Sequence, residues 1–378
     1  MKKLLVFFLI MFFPYNALAE DLLPNAKSGL LMEASTGKII FAKEKDKELS
    51  VASMTKMVAQ IIILEEVKSK KIKWDDIVTV SENASSMGGS QIYLEADEKM
   101  TVEDLMKGIS VASGNDATVA MAEYISGTED KFVERMNQKV KELGLKHTHF
   151  QNCTGLDEEN HYSSSYDMAI IARELLMKHP EILRFSSIHE DYLRKDTDKK
   201  FWLVNTNKLV SQYEGTDGLK TGHTDDAGYC LAATVKRGDL RFIAITLGES
   251  DSKTRNQETI ELLDYGFKSV KIRTLKKKNS IAKNVYISKA KPQILSYVLK
   301  DNLNVIESPG EKKEYTYDVK LKKLSYPIKK GDFLGVIQAK SGNNIISSVS
   351  LVSNYNIRKL SFFELFLDSI KGIFLGNF

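Results

Sequence analysis

Residues 227–248 read AGYCLAATVKRGDLRFIAITLG. Two short apolar runs, 227–235 and 241–248, flank the polar turn Lys236-Arg237-Gly238-Asp239, the pattern of two paired strands. A helical stretch follows at about 253–269. Far upstream, residues 28–45 (SGLLMEASTGKIIFAKEK) read as a second pair of strands around Ser35-Thr36-Gly37. Helical patterns occupy about 53–68, 101–124, 129–142 and 165–178 between the two pairs. Strands at both ends with helices between them predict an antiparallel sheet with helices segregated against it, an α+β fold.

The character changes after residue 270. Lys276-Lys277-Lys278 opens a stretch of short alternating segments, Ala282–Ile287, Tyr315–Leu321, Phe333–Gln338 and Ile345–Val352, separated by Lys, Asn, Gly and Pro turns. No helical period appears, so residues 271–357 read as a small all-β domain, a sandwich or barrel. Charge divides at the same place. Residues 20–270 carry 32 Lys and Arg against 42 Asp and Glu, whereas residues 271–358 carry 18 against 6. An acidic body joined to a basic one leaves no single dominant basic patch, which argues against a nucleic-acid partner. The lysines read as a solvated β surface, with anionic lipid heads as the alternative. Hydrophobic residues at 43% and charged residues at 28% suit packed cores rather than disorder.

Both ends read as signals. Residues 1–19, MKKLLVFFLIMFFPYNALA, combine a positive start, an apolar run and the small-x-small pattern Ala17-Leu18-Ala19 of a cleavable leader. An uncleaved anchor is the alternative, but the run is about ten residues, too short to span a bilayer. The chain is thus expected to act outside the cytoplasm, where a bridge between Cys153 and Cys230 is permitted but not implied; a free cysteine commonly behaves as a small buried hydrophobe. At the other end, residues 358–378 include LSFFELFLDSIKGIFLGNF. On a helix Phe363, Phe366, Leu367, Ile370 and Phe374 form one stripe, and Ser361, Glu364, Asp368 and Lys371 another. The three charges oppose spanning, so residues 360–378 are expected to lie in the plane of a membrane surface, although the polar face lacks the usual excess of Lys and Arg. The competing reading packs this helix on the protein's own core.

Three short motifs carry the chemistry. Ser53-Met54-Thr55-Lys56 opens the apolar helix that continues MVAQIIILEEV, and i,i+3 spacing puts Ser53 and Lys56 on one face. A serine hydroxyl needs an adjacent base, and burial lowers a lysine pKa enough to supply one. Other Ser-x-x-Lys sequences occur at 35–38, 250–253, 280–283 and 288–291, but none of those serines starts a strongly apolar helix. The second motif is Ser113-Gly114-Asn115, between two apolar segments, where a hydroxyl can relay a proton and an amide can hold a carbonyl; a helix break with ordinary capping residues has the same appearance. A copy at 341–343 shows how common the triplet is. The third is Lys220-Thr221-Gly222-His223, before the strand at 227. An ammonium and a hydroxyl on a strand edge can hold a carboxylate, and glycine leaves room for a ligand against the backbone. His147 and His149 read as surface residues rather than as a metal site.

The order Ser-x-x-Lys, Ser-x-Asn, Lys-Thr-Gly, with 60 residues from Ser53 to Ser113 and 107 from Ser113 to Lys220, matches the triple of penicillin-binding proteins and class A β-lactamases. With GGSQIYLE at 88–95, FQNCTGLDEENHYSSSYDMA at 150–169, NTNKL at 205–209 and DGLKTGHTDDAGYCLAAT at 217–234, nearly the whole chain resembles the D-alanyl-D-alanine carboxypeptidases. These are low-molecular-mass penicillin-binding serine peptidases with a β-domain and a C-terminal amphipathic anchor. The resemblance implies a transpeptidase-like catalytic domain over 20–270 and no cofactor or metal. It further implies release of the terminal D-alanine from peptidoglycan pentapeptide stems through an acyl-enzyme on Ser53, with Lys56 as proton acceptor and Ser113 as relay. Asn115 would bind the substrate amide and Lys220 with Thr221 the terminal carboxylate, beside Gly222. The oxyanion would sit between the backbone N–H groups of Ser53 and His223. β-Lactams would acylate the same serine. The location implied is periplasmic, or the outer face of the cytoplasmic membrane.

A β-lactamase would share the triple, but no Glu-x-x-Leu-Asn segment lies between the second and third motifs. A tethered sensor would take up penicillin without turning over peptide. An endopeptidase would cut cross-linked stems rather than free D-alanine from pentapeptides.

Overall fold

The two hairpins predicted at the ends of the first domain meet in one sheet. In the computed structural model, which describes residues 21–311 and 313–375, its strands are β1 (Ser28–Glu33), β2 (Ile39–Lys43), β3 (Thr216–Thr224), β4 (Gly228–Arg237) and β5 (Leu240–Glu249). Their order is β2-β1-β5-β4-β3, antiparallel throughout. The expected leader at 1–19 lies outside the described residues.

Neighbouring residues on these strands enter different cores, because side chains alternate across a sheet. Leu30, Met32, Ile243 and Ile245 join the large cluster built by the helices between the hairpins, whereas Leu31, Phe242 and Ala244 pack with Leu262 and Leu263. Both faces are therefore covered, which explains why the runs at 227–235 and 241–248 are continuously apolar rather than alternating. The helices in question are α1 (Lys56–Lys68), α2 (Val102–Lys107), α3 (Asn115–Ser126), α4 (Glu129–Glu142) and α5 (Ser165–Lys178), with α6 (Ser252–Ser269) on the opposite face. Thr128 and Ser164 cap α4 and α5 through their hydroxyls, so these boundaries were readable from sequence. The stretch at 101–124 differs from the single helix expected. After α2 it widens into a π-helical turn, Gly108–Ala112, and breaks at Ser113, whose φ is +64°.

The β domain holds a five-stranded sheet with the order β6-β7-β10-β9-β8, from β6 (Ile281–Tyr286), β7 (Ile294–Leu299), β8 (Thr316–Leu321), β9 (Phe333–Ser341) and β10 (Asn344–Ser353). The strand β7 was not among those expected. Leu295 to Leu299 are all buried, so the run has no alternation to betray it. Residues Lys271–Lys276 pair with Leu303–Glu307 outside this sheet, and Ile306 joins the core that holds Leu31 and Phe242. The last described element is α7 (Phe362–Leu375). Among the described residues no helix is long and apolar enough to cross a membrane.

Candidate active site

Ser53 lies in a 3-10 turn, Ala52–Thr55, that leads directly into α1. Ala52 has φ +47°, a conformation uncommon for a residue with a Cβ; such residues cluster where local geometry is overdetermined by packing. The packing is visible. A Cβ on Gly155 would come within 2.0 Å of the Ala52 carbonyl oxygen, and one on Gly222 within 2.6 Å of the Val51 carbonyl oxygen. The glycine of Lys-Thr-Gly thus admits the protein's own serine turn. That differs from the expected reason, room for a ligand, although Gly222 also lines the cavity described below. Beneath the turn, the Gln151 amide donates to His161 Nδ1 (3.2 Å), so the ring proton sits on Nε2 and points at Thr55 Oγ1, 2.8 Å away. Burial holds that imidazole neutral, with a pKa of about 4.

Lys56 is fully buried one turn into the helix, and its Nζ lies 2.8 Å from Ser53 Oγ. Two carbonyl oxygens, Asn115 Oδ1 at 2.6 Å and Thr154 O at 2.5 Å, accept from the same nitrogen. A neutral amine has two N–H bonds and one lone pair, so these two acceptors leave the lone pair for the Ser53 hydroxyl proton. Burial lowers the Lys56 pKa to about 7, against smaller opposing effects of Cys153 and Asp116, so an appreciable fraction of the amine is neutral near pH 7.

The break at Ser113 places the second motif beside this pair. The Asn115 amide is held at both ends, Oδ1 accepting from Lys56 and Nδ2 donating to the Gly88 carbonyl at 2.7 Å, and its backbone N–H donates to Ser90 O at 2.7 Å. Asp116 accepts from the amides of Ile92 and Leu94 and ties down the same 88–95 segment. Lys220, on the edge strand β3, is 1% exposed and donates to Ser113 Oγ at 2.8 Å and to its neighbour's carbonyl, Thr221 O, at 2.9 Å. Burial, reinforced by the like charges of Lys56 and Arg255, pushes its pKa well below the usual lysine value. Thr221 Oγ1 donates to Thr206 Oγ1 at 2.7 Å.

All eight residues singled out from sequence gather at one cavity of about 320 Å³. Ser53, Ser113, Thr221, Gly222 and His223 line it, and Lys56, Asn115 and Lys220 are buried against those walls by the bonds given above. The further Ser-Gly-Asn at 341–343 belongs to the β9–β10 hairpin instead. The wall also includes Thr206, Lys208, Tyr229 and Arg255, to which the motifs assigned no role. Thr206 and Lys208 stand in NTNKL, and Tyr229 stacks on His223 with ring centres 4.0 Å apart. Arg255 left no signal, being one cation on a polar helix start; folding buries it with Nη1 3.5 Å from Cys230 O. Cys153 and Cys230 are both free and buried. No group of three or more His, Cys, Asp or Glu among the described residues could hold a metal ion.

Comparison with known proteins agrees over nearly the whole length. Residues 17–251 match the family model described as D-alanyl-D-alanine carboxypeptidase, and residues 271–359 that described as penicillin-binding protein 5, C-terminal domain. The chain is similar to D-alanyl-D-alanine carboxypeptidase DacF of Bacillus subtilis, with 43% identity covering 96% of this chain and 95% of that one. Among solved structures, penicillin-binding protein 5 from Haemophilus influenzae superposes with a TM-score of 0.70 at 30% identity, covering 89% of this chain and 98% of the other. Penicillin-binding protein D2 from Listeria monocytogenes, in its ampicillin-bound form, superposes with a TM-score of 0.58 at 30% identity, covering 64% and 98%.

Proposed function

The chain belongs to the D-alanyl-D-alanine carboxypeptidase family, hydrolases of penicillin-binding type, and on that premise we propose which residues perform the reaction and where. Ser53 Oγ attacks the carbonyl carbon of the penultimate D-alanine in a pentapeptide stem. Its proton passes to the Lys56 lone pair as the C–O bond forms, and the developing oxyanion is met by the backbone N–H groups of Ser53 and His223. Collapse breaks the C–N bond, and the departing amine takes that proton from the Lys56 ammonium by way of Ser113, itself hydrogen-bonded to Lys220, which returns Lys56 to the neutral amine. Water then gives a proton to Lys56 as it adds to the ester carbonyl, and Lys56 passes the proton to Ser53 Oγ as the C–O bond breaks and the tetrapeptide leaves. A β-lactam enters the same first step and stays on as an ester. The observation that carries this reading is the 2.8 Å Lys56–Ser53 contact beside two carbonyl acceptors.

The terminal carboxylate meets Thr221 and two cations. An arriving anion stabilises the ammonium form of Lys220 against the burial that disfavours it, and Arg255 supplies a permanent charge from the cavity wall. Asn115 orients Lys56 and adjoins the substrate amide. The catalytic unit spans 20–270, the β domain 271–357 and the anchor 358–378. The exported enzyme trims stems, limits cross-linking and rests on the outer face of the cytoplasmic membrane through α7, whose first apolar residues face outward: Phe362 is 86% exposed, Phe363 66% and Phe366 52%. The test is intact mass after penicillin treatment, read beside D-alanine release from a diacetylated Lys-D-Ala-D-Ala tripeptide. Wild type should carry one adduct and release D-alanine, and Ser53→Ala should do neither. An adduct on Ser53→Ala would remove Ser53 from this role, and an adduct without D-alanine release would favour the sensor.

A further inference from the structure

Six cationic side chains share the end of the β domain from which α7 emerges. Residues Ala290–Lys291 pair with Arg358–Lys359, and the Leu360 amide donates to Lys289 O at 3.0 Å. The loop 326–332 is fastened to the same strand. Ile328 and Ile357 exchange backbone hydrogen bonds at 2.9 and 2.8 Å, the Lys330 amide donates to Asn356 Oδ1 at 2.8 Å, and Lys359 Nζ stands 5.7 Å from the centre of the Tyr326 ring. Lys289, Lys291, Lys329, Lys330, Arg358 and Lys359 are thus neighbours, and all are exposed. Only Arg358 has a carboxylate partner among the described residues, Glu364 of α7 at 2.6 Å. Asp332, the nearest other acid in sequence, accepts from the Lys329 amide and closes its own turn.

The helix itself lacks what these residues supply. An in-plane amphipathic helix ordinarily has Lys and Arg on its polar face, and α7 carries Glu364 and Asp368 against a single Lys371. Attraction to anionic headgroups decays within a Debye length of about 8 Å at physiological salt, so cations must sit close to the surface to act. Phe362 follows Lys359 by three positions, a reach of about 10 Å at most. Building on the anchor reading above, we propose that the collar Lys289, Lys291, Lys329, Lys330, Arg358 and Lys359 docks the β domain on an anionic bilayer, its cations meeting lipid phosphates while α7 lies in the interface. The electrostatic half of membrane binding then resides on the folded domain and the apolar half on the helix. Two attachments, rather than one flexible tail, orient the domain on the surface.

The experiment is partition of the full mature chain onto phosphatidylcholine vesicles with and without a third of phosphatidylglycerol. Phosphatidylglycerol should raise wild-type partition at least ~10-fold at low salt, with the gain lost at high salt. The variant combining Lys289→Gln, Lys291→Gln, Lys329→Gln and Lys330→Gln should lose that gain while keeping its affinity for neutral vesicles and its rate of penicillin labelling. A variant that keeps the gain, or loses binding equally on both vesicles, overturns the collar. If the variant instead loses binding only to soluble poly(glycerol phosphate), the collar reads a polymer and the proposal falls. A second variant, Phe362→Ser with Phe363→Ser and Phe366→Ser, tests the anchor separately. Undiminished binding of that variant to neutral vesicles would sink the helix reading and leave the collar to be judged on its own phosphatidylglycerol gain.

Discussion

A protonated Lys56 has no lone pair for the Ser53 proton, so the acylation rate should follow the neutral amine. With the pKa lowered to about 7 by burial, the second-order rate of penicillin acylation should climb with pH about 10-fold per unit below 7 and level off above it. A pH profile of that rate, measured by stopped flow over about four units centred near the lysine pKa, would oppose the assignment if it were flat. The two cations of the carboxylate site should separate by their effects. Arg255→Ala should cut the preference for a free-acid over a C-terminally amidated substrate by ~10–100-fold, the worth of a charged hydrogen bond, and leave the amide rate nearly unchanged. Lys220 also bonds Ser113, so Lys220→Ala should slow both substrates as well as erode the preference. Kinetics on the two substrates decide it, and an Arg255→Ala enzyme with undiminished acid preference would return the whole task to Lys220.

Among the elements, α1, α4, α5 and α6 were legible because helical patterning is a local property, to which α4, α5 and α6 add hydroxyl or carboxylate caps. The break between α2 and α3 was not. Its sequence, GISVASGNDATVAMA, only briefly interrupts an apolar pattern, which fits a continuous helix as well as a break, and the π turn with Ser113 at positive φ is held from outside by Ser90, Gly88 and Lys220. The helix α7 is a different case. Its stripe was visible in sequence, but only the fold shows its first turn exposed rather than packed on a core. Truncation after Ile357 should therefore move the protein from the membrane fraction to the soluble fraction at physiological salt, with activity on a small soluble peptide within about twofold of wild type, because surface helices away from a site act weakly on it. Fractionation and a D-alanine assay check this. A truncated protein that stays with membranes would contradict the anchor, and one that is soluble but unfolded would return the helix to the core.

At the scale of the whole molecule, the residues proposed to carry the reaction come from positions 53 to 223 and meet where the serine turn, the break at Ser113 and the edge strand β3 converge. The motifs, with the family that their order resembles, singled out Ser53, Lys56, Ser113, Asn115, Lys220, Thr221, Gly222 and His223, and the fold gathers these residues at one cavity. Local patterning likewise separated an α+β body from an all-β one. Three matters depended on tertiary structure. The Lys56 pKa is set by burial, and burial is a property of the packed site rather than of Ser-x-x-Lys. Gly222 is required by the approach of the Val51 carbonyl from a turn about 170 residues away in the chain, a closeness no local rule encodes. Arg255 and the lysines of the collar are scattered singly in sequence, and only the fold makes the first a wall of the cavity and the others one surface, since charge acts through distance in space and not along the chain.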